Sequence, residues 1–213
     1  MSYAPIVACE TAVGDLEWVF INGSVKKDLK GNPTYTANVV MSAEKAKPLM
    51  DQIDAYWDEH KPKGAKRKSS GYKDHTVKDM KASEEAGEPV YVETGKIMFT
   101  AKTGTSYKSG DEKIIKIFNV KGNEVSLQGK KIGNGSRGLL GLGLAMYDVN
   151  PSARGTTLYL NYIQISKFVE YAGGGTASGA IEDDEGGDGF DGVEGTLPQI
   201  EDGDDSQPEK PRL

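Results

Sequence analysis

Apolar and polar residues alternate in short runs along the first 172 residues of the chain, and a period of two predicts β-strands. The runs lie at residues 5–12, 16–21, 35–41, 96–101, 112–120, 137–147 and 156–169. The fourth and fifth runs flank a polar turn, which predicts a β-hairpin. Six or seven closely spaced strands favour a sandwich or barrel over a fold built from βαβ units.

One stretch follows a helical period instead. Leu49, Tyr56 and Trp57 share one face of a predicted helix, which begins after Ser42 as N-cap and ends near His60. An early proline in this helix predicts a kinked or separate first turn. Strands, basic loops and one inserted helix together predict a mainly β protein with a small OB-fold-like barrel, in which a strand face and its loops bind single strands.

The charge of the chain is divided unevenly between its body and its end. Residues 173–213 hold twelve acidic and two basic residues, a balance of −10. Because the whole chain carries −6, residues 1–172 carry +4. Few apolar side chains interrupt the Gly, Asp and Glu of the last segment, so we predict a folded domain over 1–172 and a disordered acidic tail over 173–213. Such a tail either solubilises the protein or competes with a polyanion for the basic body.

Lysines and tyrosines concentrate in the polar segments of the body. Residues 61–81 hold eight basic residues, and Ser69-Ser70-Gly71 within them favours flexibility. This segment is predicted to be either a mobile phosphate-contacting arm or a solvated loop. Binding single strands without sequence preference requires cations along the backbone and aromatic faces on which bases stack. The candidate phosphate contacts are Lys26, Lys27, Lys30, Lys66, Arg67, Lys68, Lys73, Lys102, Lys108, Lys130, Lys131 and Arg137, and the candidate stacking residues are Tyr35, Tyr72 and Tyr107. For each tyrosine the alternative is packing within the protein, although Tyr72 and Tyr107 lie among lysines.

The sequence offers no catalytic constellation. Two histidines and one cysteine make a Cys/His zinc site unexpected, and the carboxylates of the body are scattered among lysines. Residues 133–138 spell G-x-G-x-x-G, but Gly141 and Gly143 follow and oppose the helix that a dinucleotide site needs. We therefore expect no enzyme, no cofactor and no metal. We interpret this segment as a turn before a strand, whose N–H groups and flanking cations contact a phosphate.

Four short motifs follow one another along the chain. They are Thr11-Ala12-Val13-Gly14 before an aromatic strand, Gly31-Asn32-Pro33 before the next strand, Ile132-Gly133-Asn134-Gly135-Ser136 before a Gly-rich strand, and Gly173-Gly174-Gly175 before the acidic tail. In this order they resemble the replication single-stranded DNA-binding proteins of tailed bacteriophages of the short-tailed coliphage type. The resemblance spans nearly the whole chain and implies an OB fold, sequence-nonspecific single-strand binding, frequent dimerisation and a tail that contacts the phage replication machinery, such as a polymerase or helicase.

We therefore predict a single-stranded DNA-binding protein of phage replication, recombination and repair that works in the host bacterial cytoplasm. The single Cys9 fits a reducing compartment, and no apolar run approaches the ~20 residues that span a bilayer. The first alternative is a β-rich protein-interaction module with a solubilising tail. The second is a metal-dependent enzyme that acts on nucleic acid. Strand annealing is compatible with the same surface.

Overall fold

The computed structural model describes residues 4–28 and 30–171, so the predicted acidic tail and the predicted end of the domain lie outside the described residues. Within these ranges the chain forms nine strands and two helices. In chain order they are β1 (Val7–Glu10), β2 (Gly14–Phe20), β3 (Lys26–Lys27), β4 (Pro33–Ser42), α1 (Ala43–His60), β5 (Tyr72–Asp79), α2 (Met80–Ala86), β6 (Val90–Gly104), β7 (Lys116–Phe118), β8 (Ser136–Asn150) and β9 (Ala153–Lys167). The predicted six or seven strands and one helix were therefore too few.

Five of the strands close into a barrel. β2, β4 and β6 pair antiparallel in that order, and β6 then pairs with β9 in parallel. β9 pairs antiparallel with β8, which returns to β2 and closes the ring. This is the arrangement of a five-stranded OB-type barrel, so the predicted fold class is confirmed. The remaining strands β1, β3, β5 and β7 extend the barrel by pairing with β8, β4, β6 and β9, respectively.

Alternation decides which side chains enter the barrel. On β4, Tyr35, Ala37, Val39 and Met41 are all buried, as the period of two predicts. Inward residues of β6, β8 and β9 meet them in one apolar core. The outward residues of β4 and β6 lie on the opposite face of the sheet, where Thr36 is largely buried and Lys102 is exposed.

Helix α1 begins and ends where the sequence predicts. The Ser42 hydroxyl accepts a hydrogen bond from the Lys45 N–H, which caps the first turn. The apolar face packs on the barrel with Leu49 and Trp57 buried. The helix is continuous through Pro48, so the first turn is not separate from the rest of the helix. Neither helix in the described part of the chain is long and apolar enough to cross a membrane.

The predicted hairpin between residues 96–101 and 112–120 is also wrong. β6 pairs antiparallel with β4 and with β5, and the second run contributes the three-residue β7 instead. β7 pairs in parallel with β9. Alternation of apolar and polar residues identifies a strand but not the strand with which it pairs. The polar turn between the two runs suggested that they pair with each other.

Candidate nucleic-acid interface

The outer face of β4 and β6 forms a polar floor. Thr36 lies opposite Lys102, and Asn38 lies opposite Thr100, in the antiparallel register of the two strands. The Asn38 Oδ1 is buried and has no hydrogen-bond partner among the described residues. In OB folds the face of the second and third barrel strands binds oligonucleotides, and β4 and β6 hold those places here.

A groove of about 470 Å³ opens beside this floor, between the start of β5 and the β8–β9 hairpin. Three exposed lysines line it, Lys68, Lys73 and Lys102. The other lining residues are Ser69, Ser70, Gly71, Tyr72, Thr100, Tyr147, Thr156 and Thr157. None of these residues is acidic, so the groove combines positive charge with hydroxyl groups and a tyrosine, Tyr147. Cations and aromatic rings together are what single-stranded nucleic acid requires.

One wall of the groove is the segment predicted as a mobile arm. The Lys68 N–H donates to the Arg154 carbonyl at 3.0 Å, and the Thr156 N–H donates to the Ser69 carbonyl at 3.0 Å. The Thr156 hydroxyl also donates to the Ser70 carbonyl at 2.8 Å. Beyond this contact the chain continues into β5 and α2. Residues 68–81 of the predicted segment 61–81 are therefore neither a mobile arm nor a loop, because their backbone is paired with the sheet or begins helix α2. Their contact with phosphates stays a prediction.

Tyr72 and Arg67 anchor this wall to helix α1. The Tyr72 hydroxyl donates to the Asp54 carboxylate at 2.8 Å, and the Arg67 guanidinium lies 2.7 Å from the same carboxylate. Burial raises the pKa of Tyr72, and the hydrogen bond to Asp54 raises it further. Burial alone would lower the pKa of Arg67, but its hydrogen bonds to Asp54 and Tyr72 outweigh burial and raise it. The Tyr72 ring also packs on Phe99. Tyr72 and Arg67, which were predicted as DNA contacts, are therefore engaged in contacts within the protein.

The sequence matches no protein-family model, and no curated protein matches it. Among solved structures, gp2.5, a single-stranded DNA-binding protein encoded by bacteriophage T7, aligns with a TM-score of 0.53 at 15% identity, covering 84% of this chain and 100% of that chain. The single-stranded DNA-binding protein from bacteriophage Enc34, in complex with single-stranded DNA, aligns with a TM-score of 0.53 at 15% identity, covering 78% and 89% of the two chains. This is the fold of phage single-stranded DNA-binding proteins. Identity this low shows the shared fold alone.

Two tyrosines predicted to stack bases have different places in this fold. Tyr35 is only 2% exposed and belongs to the barrel core, so its predicted stacking role is wrong. Tyr107 is exposed, but it lies in the loop after β6 and is not among the residues that line the groove. The Lys113 ammonium lies 5.6 Å from its ring centroid. Lys108 is exposed in the same loop.

The predicted cations divide into those at the floor and those elsewhere. Lys26 lies over the ring of Phe20, with its Nζ 4.4 Å from the centroid, and Phe20 lies opposite Thr36. Lys26 and Lys102 therefore both lie at the polar floor. Lys27 and Lys30 are exposed in the segment between β2 and β4 that also contains Lys26. The remaining predicted cations lie outside the groove lining: Lys66 is exposed, Lys130 pairs with Glu170 at 3.1 Å, Lys131 is exposed and Arg137 Nε lies 3.6 Å from Asp15.

Trp18 and Tyr147 are aromatic residues that the sequence prediction omitted. Trp18 is 55% exposed and has a φ of 51°, a left-handed conformation that costs a bulky residue about 1–2 kcal/mol. A register shift between Glu17 and Phe20 makes Trp18 an extra residue on β2. No sequence signal marks the bulge, because Leu16, Trp18 and Phe20 fit the strict alternation of a regular strand.

The described ranges also bear on the alternative of a metal-dependent enzyme. Residues 4–28 and 30–171 contain no group of three or more His, Cys, Asp or Glu side chains placed to hold a metal ion. The glycine-rich segment at 133–138 leads directly into strand β8. The prediction of a turn before a strand is therefore confirmed.

Proposed function

We propose that this protein binds single-stranded DNA without sequence preference and protects it during phage DNA replication, recombination and repair in the host cytoplasm. The observation that carries the proposal is the groove with Lys68, Lys73 and Lys102 and no acidic lining residue, on the barrel face that OB folds use. The structural neighbours, one of them solved with single-stranded DNA, support the same function. Binding, rather than catalysis, is the proposed activity.

The lysines of the groove neutralise phosphates, and the polar floor accepts bases of any sequence. Neutralising a phosphate releases condensed counterions, so the binding constant falls with salt at about −0.7 in log–log slope for each contact on a single strand. Tyr147 lines the groove and is half-buried, which leaves part of its ring available to a base. The same surface supports strand annealing.

Replacing two groove lysines, Lys73→Gln with Lys102→Gln, tests the proposal. We expect the affinity for a labelled oligothymidine of about thirty bases to fall, and the salt slope to become shallower by roughly 1.4, because two phosphate contacts are lost. Fluorescence anisotropy over a series of salt concentrations measures both quantities, and a duplex of equal length tests the preference for single strands.

The matched control removes the same charge elsewhere. Lys45 and Lys81 are exposed on helices α1 and α2, away from the groove lining. Lys45→Gln with Lys81→Gln should leave the salt slope unchanged. An equal change in both double variants would mean that overall charge, rather than the groove, governs binding. Failure of the unmodified chain to bind any single strand would favour the protein-interaction module.

Protein partners form a further part of the proposal. The acidic tail is proposed to compete with DNA for the groove and to contact a phage polymerase or helicase.

Self-association is supported by a ribbon formed by β5 and the start of β6, where Val77 and Val92 lie opposite each other and are 47% and 46% exposed. Tyr91, on the same ribbon, is 62% exposed. A two-stranded ribbon is only marginally stable alone, and its exposed apolar side chains would be buried by contact with a second copy of the chain.

A further inference from the structure

Strand β2 carries two aromatic side chains outside the barrel core, and they differ in what covers their rings. The Phe20 ring is covered by the Lys26 ammonium. The Trp18 side chain is 55% exposed, and its ring has neither an aromatic nor a cationic partner within the described residues. Of the two, Trp18 therefore offers the free face on which a base can stack.

The backbone at Trp18 adopts a conformation that is unfavourable for a large side chain. As the extra residue of a bulge it adopts a φ of 51°, which glycine reaches without strain. Its N–H donates to the Asn134 Oδ1 at 2.9 Å, which ties the bulge to the loop before β8. A large side chain at a position that suits glycine is a backbone outlier of the kind found at binding sites. The fixed bulge presents the indole to solvent instead of leaving it to rotate on a loop.

Charges around the bulge suit a nucleotide. Arg137 lies directly opposite Asp15 in the β2–β8 pair, and Lys96 Nζ lies 3.4 Å from the same carboxylate. Two cations therefore share one acidic group. The neighbouring Glu17 faces His75, with 3.4 Å between Oε2 and Nε2. β2 lies two strands from β6, a distance of roughly 10 Å across the sheet, so a strand that leaves the groove over β4 reaches the bulge.

We propose that Trp18, Asn134 and Arg137 form a base-stacking subsite at the seam between β2 and β8, distinct from the groove, that takes one unpaired nucleobase of a bound single strand. Trp18 stacks on the base, Arg137 meets the adjacent phosphate, and Asn134 positions the bulge. The subsite rests on the proposed function, because it engages the strand whose backbone lies in the groove.

Tryptophan fluorescence of the full chain tests the subsite directly. The chain has two tryptophans, and Trp57 is only 5% exposed, so a ligand that stacks at the surface quenches Trp18. We expect oligothymidine to quench the emission with the same saturation curve that anisotropy gives. Trp18→Phe should abolish the quenching but retain most of the affinity, because a phenyl ring still stacks.

Trp18→Gly supplies the second measurement. Glycine suits the backbone of the bulge but removes the ring, so the fold should remain while the affinity falls about 5- to 150-fold, the equivalent of ~1–3 kcal/mol for one stacked base. Tyr159→Ala is the matched control, because it removes an exposed ring of β9 that lines neither the groove nor the subsite. Asn134→Ala should make Trp18 of the free protein more accessible to acrylamide.

The outcomes separate the subsite from the function on which it rests. If anisotropy shows binding but Trp18 is not quenched, or if Trp18→Gly binds as tightly as the unmodified chain with its fold intact, the subsite is wrong and the groove alone binds DNA. Equal losses for Trp18→Gly and Tyr159→Ala would also overturn it. If no oligonucleotide binds the unmodified chain, both the subsite and the proposed function fail.

Discussion

Replacing Gly155 with alanine should loosen one wall of the groove. A Cβ added at Gly155 would lie 2.3 Å from the Ser69 carbonyl oxygen and 3.0 Å from the Ser69 nitrogen. Both are backbone atoms, so neither contact can be relieved by turning a side chain. Because carbon and oxygen rarely approach closer than about 3.3 Å, residues 68–70 and strand β9 would have to separate by roughly 1 Å.

Such a separation breaks or lengthens the hydrogen bonds that hold the wall. Three bonds join Lys68, Ser69 and Ser70 to β9, and each contributes about 0.5–1.5 kcal/mol. The expected loss in the free energy of unfolding is therefore about 3 kcal/mol, and it is smaller if the wall detaches without unfolding the barrel. For a domain of this size, we expect a fall in Tm of roughly 6–12 °C.

DNA binding should change together with stability. Lys68 would move away from Lys73 and Lys102, so one phosphate contact is lost and the salt slope for oligothymidine becomes shallower by about 0.7. Thermal unfolding followed by circular dichroism measures the stability, and anisotropy at several salt concentrations measures the slope. Both measurements use the full chain.

Gly104→Ala is the control for the general effect of adding a methyl group to the sheet. A Cβ added at Gly104 would lie 3.7 Å from its nearest neighbour, the Ser106 carbonyl oxygen, which is an ordinary van der Waals distance. We expect little change in its Tm. An unchanged Tm for Gly155→Ala would refute the packing argument for the wall. A lower Tm with an unchanged salt slope would mean that Lys68 does not contact a phosphate.

Two further predictions concern Tyr72 and the tail. Tyr72→Phe removes a hydroxyl that donates to Asp54 and accepts from Arg67, but it leaves the Arg67–Asp54 ion pair. We therefore expect the free energy of unfolding to fall by about 1 kcal/mol and the Tm by roughly 2–4 °C. A large loss of DNA affinity would instead restore Tyr72 as a direct DNA contact. Deleting residues 176–213 removes all twelve acidic residues of the tail. The affinity for oligothymidine, measured by anisotropy, should rise at low salt and converge with that of the full chain at high salt, because salt screens the charges of the tail. Equal or weaker binding at low salt would contradict competition by the tail.

Local patterns predicted the elements that depend on neighbours along the chain. The period of two buried Tyr35 and Val39 on one side of β4, and the helical period placed Leu49 and Trp57 against the barrel. Ser42 capped α1 because capping involves only the next few residues. These features follow from backbone geometry within one element, and the sequence contains all the information that they need.

Tertiary structure decided which segments meet. The charge of residues 61–81 predicted a basic surface, but the pairing of Ser69 with Gly155, eighty-six positions away, made that surface a fixed wall. Tyr35 and Tyr107 carry the same side chain, yet only the closed barrel buries one and exposes the other. The bulge at Trp18 depends on β4 and β8 as partners of β2. A sequence pattern determines the faces of an element, whereas burial and charge at a site depend on contacts between distant parts of the chain, which form only when the barrel closes.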